Sequence, residues 1–413
     1  MNLQSPDEHT TRRKKFSVFF SCLEKESIVS CYFLLPLAIV FLHAFGSDSP
    51  YRTLAYLNIP IVLYFWFKKA RSHKLVLDRH VAEVLFFPIF LIALHLIADW
   101  SSGNVKEIRH ILSALFVGLG TWKLVVIRDI NVKPGEKTHV VIASAIAIYA
   151  VVQGIAVFFL KSPYGSTKNP HYLAQYCMLL LPVACYVFLY SAKATRVAMV
   201  GTIIIFATLL LLTSSRPAWL SLFAASLVFA WFQRTRRLWV PVAIFICIVV
   251  LYLSDAAGFG SRLSELASRI ATEERVYIWQ DTWRMQLQST PIQLLVGHGL
   301  DSFKNDFQAF SSYGRQGIDF NAPHNYLLEL LYTSGILGLS AAICMLYFLY
   351  RKLNMLYWSL ARSPFILTLI VVLTAHLLFG SITIPFFTSY NLLVLGLISG
   401  LVLSQEESKA NVK

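Results

Sequence analysis

Two arginines stand where they could bind a phosphorylated substrate. Arg216 follows the hydroxyl side chains of Thr213, Ser214 and Ser215, and Arg275 lies in a polar segment farther along the chain. A planar guanidinium can hold two phosphate oxygens at once, and partial desolvation strengthens that contact relative to water. The alternative for Arg216 is a side chain that reaches from the end of a membrane helix to lipid headgroups.

His324 is the candidate for proton transfer. It follows Pro323 and is predicted to open an apolar helix, because proline suits the first helical turn. The positive pole of a helix dipole disfavours imidazolium, so we expect a neutral ring that can accept a proton as a general base. The alternative is a histidine that only caps the helix or lies at the membrane interface.

The composition shows what must position these residues. The chain has 413 residues, of which 56% are hydrophobic and 14% charged, with a mean hydropathy of +0.60. These values exclude a soluble enzyme, a disordered chain, a collagen and a coiled coil. The apolar residues form a dozen runs near membrane-spanning length without the alternation of an outer-membrane barrel, so we predict an all-α polytopic bundle. The predicted spans lie near 28–45, 51–67, 81–98, 108–127, 138–160, 171–190, 195–212, 217–232, 238–253, 324–349, 363–380 and 384–403.

Along the chain, short loops rich in lysine and arginine alternate with loops that have few basic residues. Basic loops favour the cytoplasmic side, so this alternation predicts that both termini are cytoplasmic. The net charge of +14 is then mainly an orientation signal, because no contiguous basic patch with exposed aromatics suggests nucleic acid. The six cysteines lie in or beside apolar runs, so neither a disulfide framework nor a metal motif is indicated. The first apolar run has no cleavage site after it and is expected to be an uncleaved anchor.

The chain divides into three parts at its one long polar segment. Residues 1–253 carry nine predicted spans, residues 254–323 form a large outer loop, and residues 324–413 carry three spans and a cytoplasmic tail. In the loop, Arg275, Trp279 and Trp283 follow i, i+4, i+8 spacing, which predicts an amphipathic helix over Glu274–Leu287. The tryptophans could lie in the outer membrane interface or pack on the bundle, and these readings are compatible.

The end of this helix and the start of the next span are also marked in the sequence. Pro291 and the Gly297, His298, Gly299 turn are expected to end the amphipathic helix and return the chain towards the membrane. Gly335 and Gly338, in the tenth predicted span, are expected to allow close helix packing.

The polar groups gather on one side of the predicted bundle. Apart from the cytoplasmic charges, the ionisable residues near spans lie at outer helix ends or in outer loops; they are Lys161, Lys168, His171, Arg216, Arg275 and His324. A transporter with alternating access would instead place polar groups near the midplane of two related halves. The distribution therefore favours a site that opens to one side.

Three blocks of residues resemble the bacterial O-antigen ligase and polymerase family. They are Ser214 to Arg216; Arg275 to Trp279 with Gly297 to Gly299; and Pro323 to Leu328, continuing to Gly335 and Gly338. A weaker element is similar at Asn169, Pro170, His171 and Leu173. The resemblance covers roughly the second half of the chain, and Pro217 stands where relatives often have glycine.

The resemblance implies a GT-C-like membrane glycosyltransferase of the bacterial inner membrane with its active site facing the periplasm. Arg216 and Arg275 would bind the diphosphate of a polyprenyl-linked glycan, and His324 would activate the acceptor. Asn325 and His171 would contribute to substrate binding. The implied partners are undecaprenyl-diphosphate-linked O-antigen, the lipid A-core acceptor and membrane lipids.

The predicted reaction moves the O-antigen glycan from undecaprenyl diphosphate to the lipid A-core. It is expected to be inverting, because no carboxylate nucleophile is evident. It is expected to need neither metal nor cofactor, because the loop has no DxD-like pair, and the adjacent Glu273 and Glu274 would point apart on a helix. The alternatives are an O-antigen polymerase that extends lipid-linked repeat units and, less favoured, a polyprenyl-lipid flippase.

Overall fold

The structure, a computed structural model, describes residues 79–98, 102–127, 136–160, 162, 165–167, 169–213, 215–233, 239–255, 260–261, 264, 274–318 and 320–412. All regular structure in these ranges is helical, as the all-α prediction requires. The predicted spans near 28–45 and 51–67 lie outside the described residues. The same holds for Lys161, Lys168, Ser214 and Glu273.

Ten apolar helices are present in the described part of the chain, and each coincides with one of the predicted spans. They are α1 (Arg79–Ala98), α2 (Ser102–Ile127), α3 (Glu136–Phe158), α4 (Pro170–Tyr190), α5 (Lys193–Leu212), α6 (Arg216–Phe232), α7 (Trp239–Leu253), α12 (Tyr326–Ser359), α13 (Pro364–Gly380) and α14 (Ser389–Val412). Four shorter helices fill the polar segment: α8 (Glu274–Leu287), α9 (Pro291–Val296), α10 (Phe303–Phe310) and α11 (Ser312–Arg315). The predicted bounds of the amphipathic helix are confirmed by α8.

Several of the apolar helices have the length and composition of membrane spans. Four stretches are both long enough and apolar enough to cross a membrane: Thr138–Phe158, Pro170–Tyr190, Lys193–Leu212 and Tyr326–Ser359. The other apolar stretches in the described residues are shorter. The described residues therefore form a helical membrane protein. The number of twelve spans and the orientation of the termini stay predictions.

Helix starts follow ordinary capping chemistry, with two departures from the predictions. Pro291 does not simply end the amphipathic helix, because α8 ends at Leu287 and Pro291 begins α9 behind the capping residue Thr290. The prediction that His324 opens the tenth span was also wrong. The cap is Asn325, the helix begins at Tyr326, and His324 precedes both with a left-handed φ of 54°.

The bundle core is built by the helices that also carry the candidate site. α4 packs on α5 and α13, α13 packs on α6, and α12 packs on α1 and α13. α14 lies along α2 with glycines at the contact, where a Cβ on Gly118 would come 2.8 Å from the Gly396 carbonyl oxygen. Small residues at such contacts let apolar helices approach closely in lipid.

The long helix α12 is broken at Gly335, where φ is 65° and ψ is −170°. The break leaves two backbone carbonyls without their helical hydrogen bonds, and backbone N–H groups of the Gly297 to Gly299 turn donate to them instead. The His298 N–H donates to the Tyr332 carbonyl at 2.9 Å, and the Gly299 N–H donates to the Thr333 carbonyl at 3.0 Å. The sequence predicted close helix packing at Gly335, but Gly335 instead breaks the helix and lets the backbone of Leu295 and Gly297 lie against it.

We predict that Gly335→Ala destabilises the protein. The left-handed backbone costs an alanine about 1–3 kcal/mol, and its Cβ would overlap the Leu295 carbonyl. The matched control is Gly201→Ala on α5, where a Cβ meets nothing within 4 Å. Thermal unfolding in detergent should show a lower midpoint for Gly335→Ala and an unchanged or slightly higher one for Gly201→Ala. Equal midpoints for the two variants would show that the break is not needed for stability.

Candidate functional site

Three of the predicted site residues meet where α4 and α12 begin. His171 is the second residue of α4, Arg275 is the second residue of α8, and His324 precedes α12. Arg275 Nη2 lies 3.2 Å from His171 Nε2. A guanidinium can only donate hydrogen bonds, so this histidine nitrogen must accept. His171 is therefore a neutral ring that carries its proton on Nδ1.

The backbone around His324 is held from both sides. The Trp279 indole N–H donates to the Pro323 carbonyl at 3.0 Å. On the other side, the Asn325 side-chain oxygen accepts from the N–H groups of Leu327 and Leu328 at 3.0 and 3.1 Å. These contacts fix the residues on either side of the left-handed φ of His324. A strained backbone persists only where its surroundings hold it in this way.

Burial and charge keep the His324 ring neutral. Burial has the largest effect and, together with the charge of Arg275, lowers the pKa of His324 to about 4. A hydrogen bond to the Thr383 backbone opposes this shift. The predicted neutral imidazole agrees with this direction. Burial and the charge of Arg275 account for the shift, and the helix dipole that the sequence analysis invoked stays a prediction.

A buried carboxylate positions the loop that contacts His324. Glu329, one turn into α12, accepts hydrogen bonds from the N–H groups of Phe386 and Phe387. Both belong to the connection between α13 and α14, which also contains Thr383. The sequence interpretation missed Glu329. The signal was present, because an acidic residue inside an apolar run is costly and commonly has a specific role.

The remaining predicted site residues have different surroundings. The oxygen of Asn325 is used by the helix cap, so its predicted role in substrate binding could involve only the side-chain NH₂ group. Arg216 is half-buried and begins α6, with Pro217 in the first helical turn. Helices joined by short connections run antiparallel, so α4 and α6 begin at the same end of the bundle. This arrangement puts Arg216 at the end that holds His171.

Helix α8 is fixed above the site by a small core of its own. Ile278 and Met285 are buried in a cluster with Phe303, Phe307 and Tyr332. The packed face of α8 is therefore next to the face that carries Trp279 and Trp283, and the two faces do not coincide. Trp279 turns towards Pro323, whereas Trp283 stays largely exposed.

A second polar cluster fastens this segment to α12. The His298 ring stacks on Tyr332 with 4.3 Å between ring centroids, and His298 Nε2 lies 2.7 Å from the Ser289 hydroxyl. The Tyr332 hydroxyl donates to Asp306 at 2.6 Å. The sequence predicted only a turn at His298, since stacking between distant residues leaves no mark on local spacing. The cluster links α8, α10 and α12.

We predict that Arg275→Gln raises the pKa of His324. Removal of the neighbouring positive charge makes the imidazolium less unfavourable, while burial keeps the pKa below the ordinary 6.5. Histidine NMR across a pH titration would measure the change, with the His324 signal assigned by its loss in His324→Gln. Arg284→Gln is the matched control, because Arg284 is on the same helix but exposed and beside Asp281. An unchanged His324 pKa in Arg275→Gln would contradict the coupling.

Residues 201–343 match the sequence model of the family described as O-antigen ligase. No curated protein matches the chain. The matched range contains Arg216, Arg275 and His324, and His171 lies before it. Members of the family are membrane-bound enzymes that transfer lipid-linked glycans, and they include ligases and polymerases. The resemblance is thereby confirmed over residues 201–343, which are about a third of the chain.

Proposed function

We propose that the protein transfers an O-antigen glycan from undecaprenyl diphosphate to the lipid A-core, at the periplasmic face of the bacterial inner membrane. The observation that carries this proposal is the contact of the Arg275 guanidinium with His171 beside the neutral His324. It puts a permanent cation next to a possible base inside a domain whose family handles lipid-linked glycans.

We assign Arg275 to binding of the glycan donor, the undecaprenyl-diphosphate-linked glycan. The Arg275 guanidinium would bind the diphosphate oxygens, and the His171 Nδ1 proton would add a neutral donor. Arg216, at the same end of the bundle, would bind the second phosphate. As the glycosyl bond breaks, negative charge grows on the departing undecaprenyl diphosphate. Preorganised donors at that position lower the barrier because they need no rearrangement during the reaction.

We assign His324 to deprotonation of the acceptor hydroxyl on the lipid A-core. The buried Nδ1 of His324 has no hydrogen-bond partner among the described residues. We infer that the other ring nitrogen donates to the Thr383 backbone, which leaves the Nδ1 lone pair available. In one displacement, the acceptor oxygen attacks the anomeric carbon and passes its proton to His324. The bond from that carbon to the diphosphate oxygen breaks, and the configuration is inverted.

The same chemistry serves a polymerase, in which the acceptor is another lipid-linked repeat unit. The two functions differ only in the acceptor. The test is reconstitution of purified protein with lipid-linked glycan and rough lipopolysaccharide, scored by gel mobility. Transfer to the lipopolysaccharide core supports the ligase. Growth of lipid-linked chains without core transfer supports the polymerase.

We predict that His324→Gln lowers the transfer rate about 10²- to 10⁴-fold, the usual contribution of a general base. Binding of the lipid diphosphate should persist, because Arg275 is retained. In the parent protein, protonation removes the base as the pH falls through the folded pKa. The free-enzyme profile should therefore lose activity near pH 4, well below the ordinary histidine value of 6.5. Undiminished transfer by His324→Gln would remove this residue from the mechanism.

We predict that Trp279→Phe lowers kcat about fivefold, with little change in KM for the lipid donor. The variant loses the indole hydrogen bond to Pro323, worth about 1 kcal/mol, and so loosens the backbone of His324. Trp279 is thus a positioning residue. Trp283→Phe, one turn along the same helix, is the matched control and should retain the parent kcat. A rise in KM alone would assign Trp279 to substrate binding instead.

We predict that the reaction is independent of divalent metal ions, because the fixed guanidinium groups neutralise the diphosphate. Transfer should be measured after treatment with EDTA and again after addition of Mg²⁺ or Mn²⁺. The expected rate is the same in each case. Loss of transfer with EDTA and recovery with either ion would contradict this part of the mechanism.

A further inference from the structure

An exposed apolar edge runs along α8 and α9, in the segment that the sequence places outside the membrane. Trp283, Leu287, Ile292 and Leu295 are 49%, 66%, 65% and 49% exposed. The buried side of α8 is a different face, which contains Ile278. Four exposed apolar side chains within thirteen residues of a polar segment indicate a contact surface.

The attachment of α9 to α12 gives the depth of this edge. The uncharged stretch of α12 runs from Leu330 to Tyr350 and is followed by Arg351. At 1.5 Å per residue it is about 30 Å long, which matches the hydrocarbon core of a bilayer. The carbonyl of Leu295 packs against Gly335, which lies roughly 8 Å inside that stretch. The end of α9 therefore lies just inside the edge of the hydrocarbon.

The backbone pairing at the break makes this depth possible. An irregular turn can lie at membrane depth only where its polar groups are satisfied within the protein. The N–H groups of His298 and Gly299 donate to the carbonyls that the break in α12 releases. The turn after α9 therefore brings paired backbone groups to the edge of the hydrocarbon.

We propose that this edge, formed by Trp283, Leu287, Ile292 and Leu295, inserts into the leaflet nearest the site and contacts lipid acyl chains. Ile336, the residue after Gly335, is 48% exposed and extends the apolar surface from the turn along α12. Arg284 lies next to Trp283 and is exposed while it pairs with Asp281 at 3.3 Å, so its guanidinium could also reach lipid phosphates.

The insertion is independent of the chemistry assigned to His324. It would hold α8 at the membrane surface, with Arg275 two turns from Trp283 on the same helix. If the proposed function is also correct, Arg275 lies at the level of a lipid-linked diphosphate. Failure of glycan transfer in vitro would not affect the insertion, and failure of insertion would leave the contact of Arg275 with His171 unchanged.

The test is photo-crosslinking of the full-length protein in liposomes that contain a radiolabelled phospholipid. A benzophenone amino acid is introduced at position 292 or 295. Position 343, exposed on the apolar part of α12, is the positive control, and position 305, exposed on α10, is the negative control. We expect positions 292 and 295 to take up label at the level of position 343, severalfold above position 305. Labelling no greater than at position 305 would overturn the proposal.

A second measurement does not depend on the crosslinker. Brominated lipids quench tryptophan emission only within the bilayer, so Trp283→Phe should reduce the fraction of emission that these lipids quench. Trp279→Phe provides the comparison, because that indole is turned towards Pro323. A quenched fraction that stays the same in Trp283→Phe would place the edge in water and overturn the proposal.

Discussion

The contact between the Arg275 guanidinium and His171 is the interaction on which the candidate site depends. Arginine keeps its charge under all ordinary conditions, so a ring nitrogen beside it must accept rather than donate. The same charge, added to burial, keeps His324 neutral. Burial and this one cation together keep both histidines neutral. A site that must hold an anion and also remove a proton needs this combination.

The surrounding helices hold α8 over the first residues of α4 and α12. Tyr332 is central, because it stacks on His298 and also belongs to the core under α8. The break at Gly335 lets the turn before α10 pair with α12. Glu329 fixes the α13–α14 connection from the other side. The site is therefore assembled from segments far apart in the sequence, and each is tied to the first turns of α12.

Local sequence signals predicted the helices well, because apolar run length and capping residues are local properties. The bounds of α8 follow from a periodicity that lies entirely within it. His171, Arg275 and His324 were among the six ionisable residues that the sequence placed together at the outer side of the bundle, because such groups beside apolar runs are few. The hydrogen bonds between distant residues could not be predicted, because they leave no local pattern in the sequence. The Trp279 contact with Pro323 and the Glu329 contacts with Phe386 and Phe387 join residues tens of positions apart. The start of α12 was misplaced because Pro323 suggested a first turn, whereas Asn325 supplies the cap.

The most direct measurement is a cryo-electron microscopy map of the full-length protein in nanodiscs with undecaprenyl diphosphate bound. We expect density for the diphosphate against the Arg275 guanidinium, with His324 facing the position of the first sugar. A diphosphate bound elsewhere in the bundle, with His171, Arg275 and His324 away from it, would contradict the assignment of these residues to the reaction.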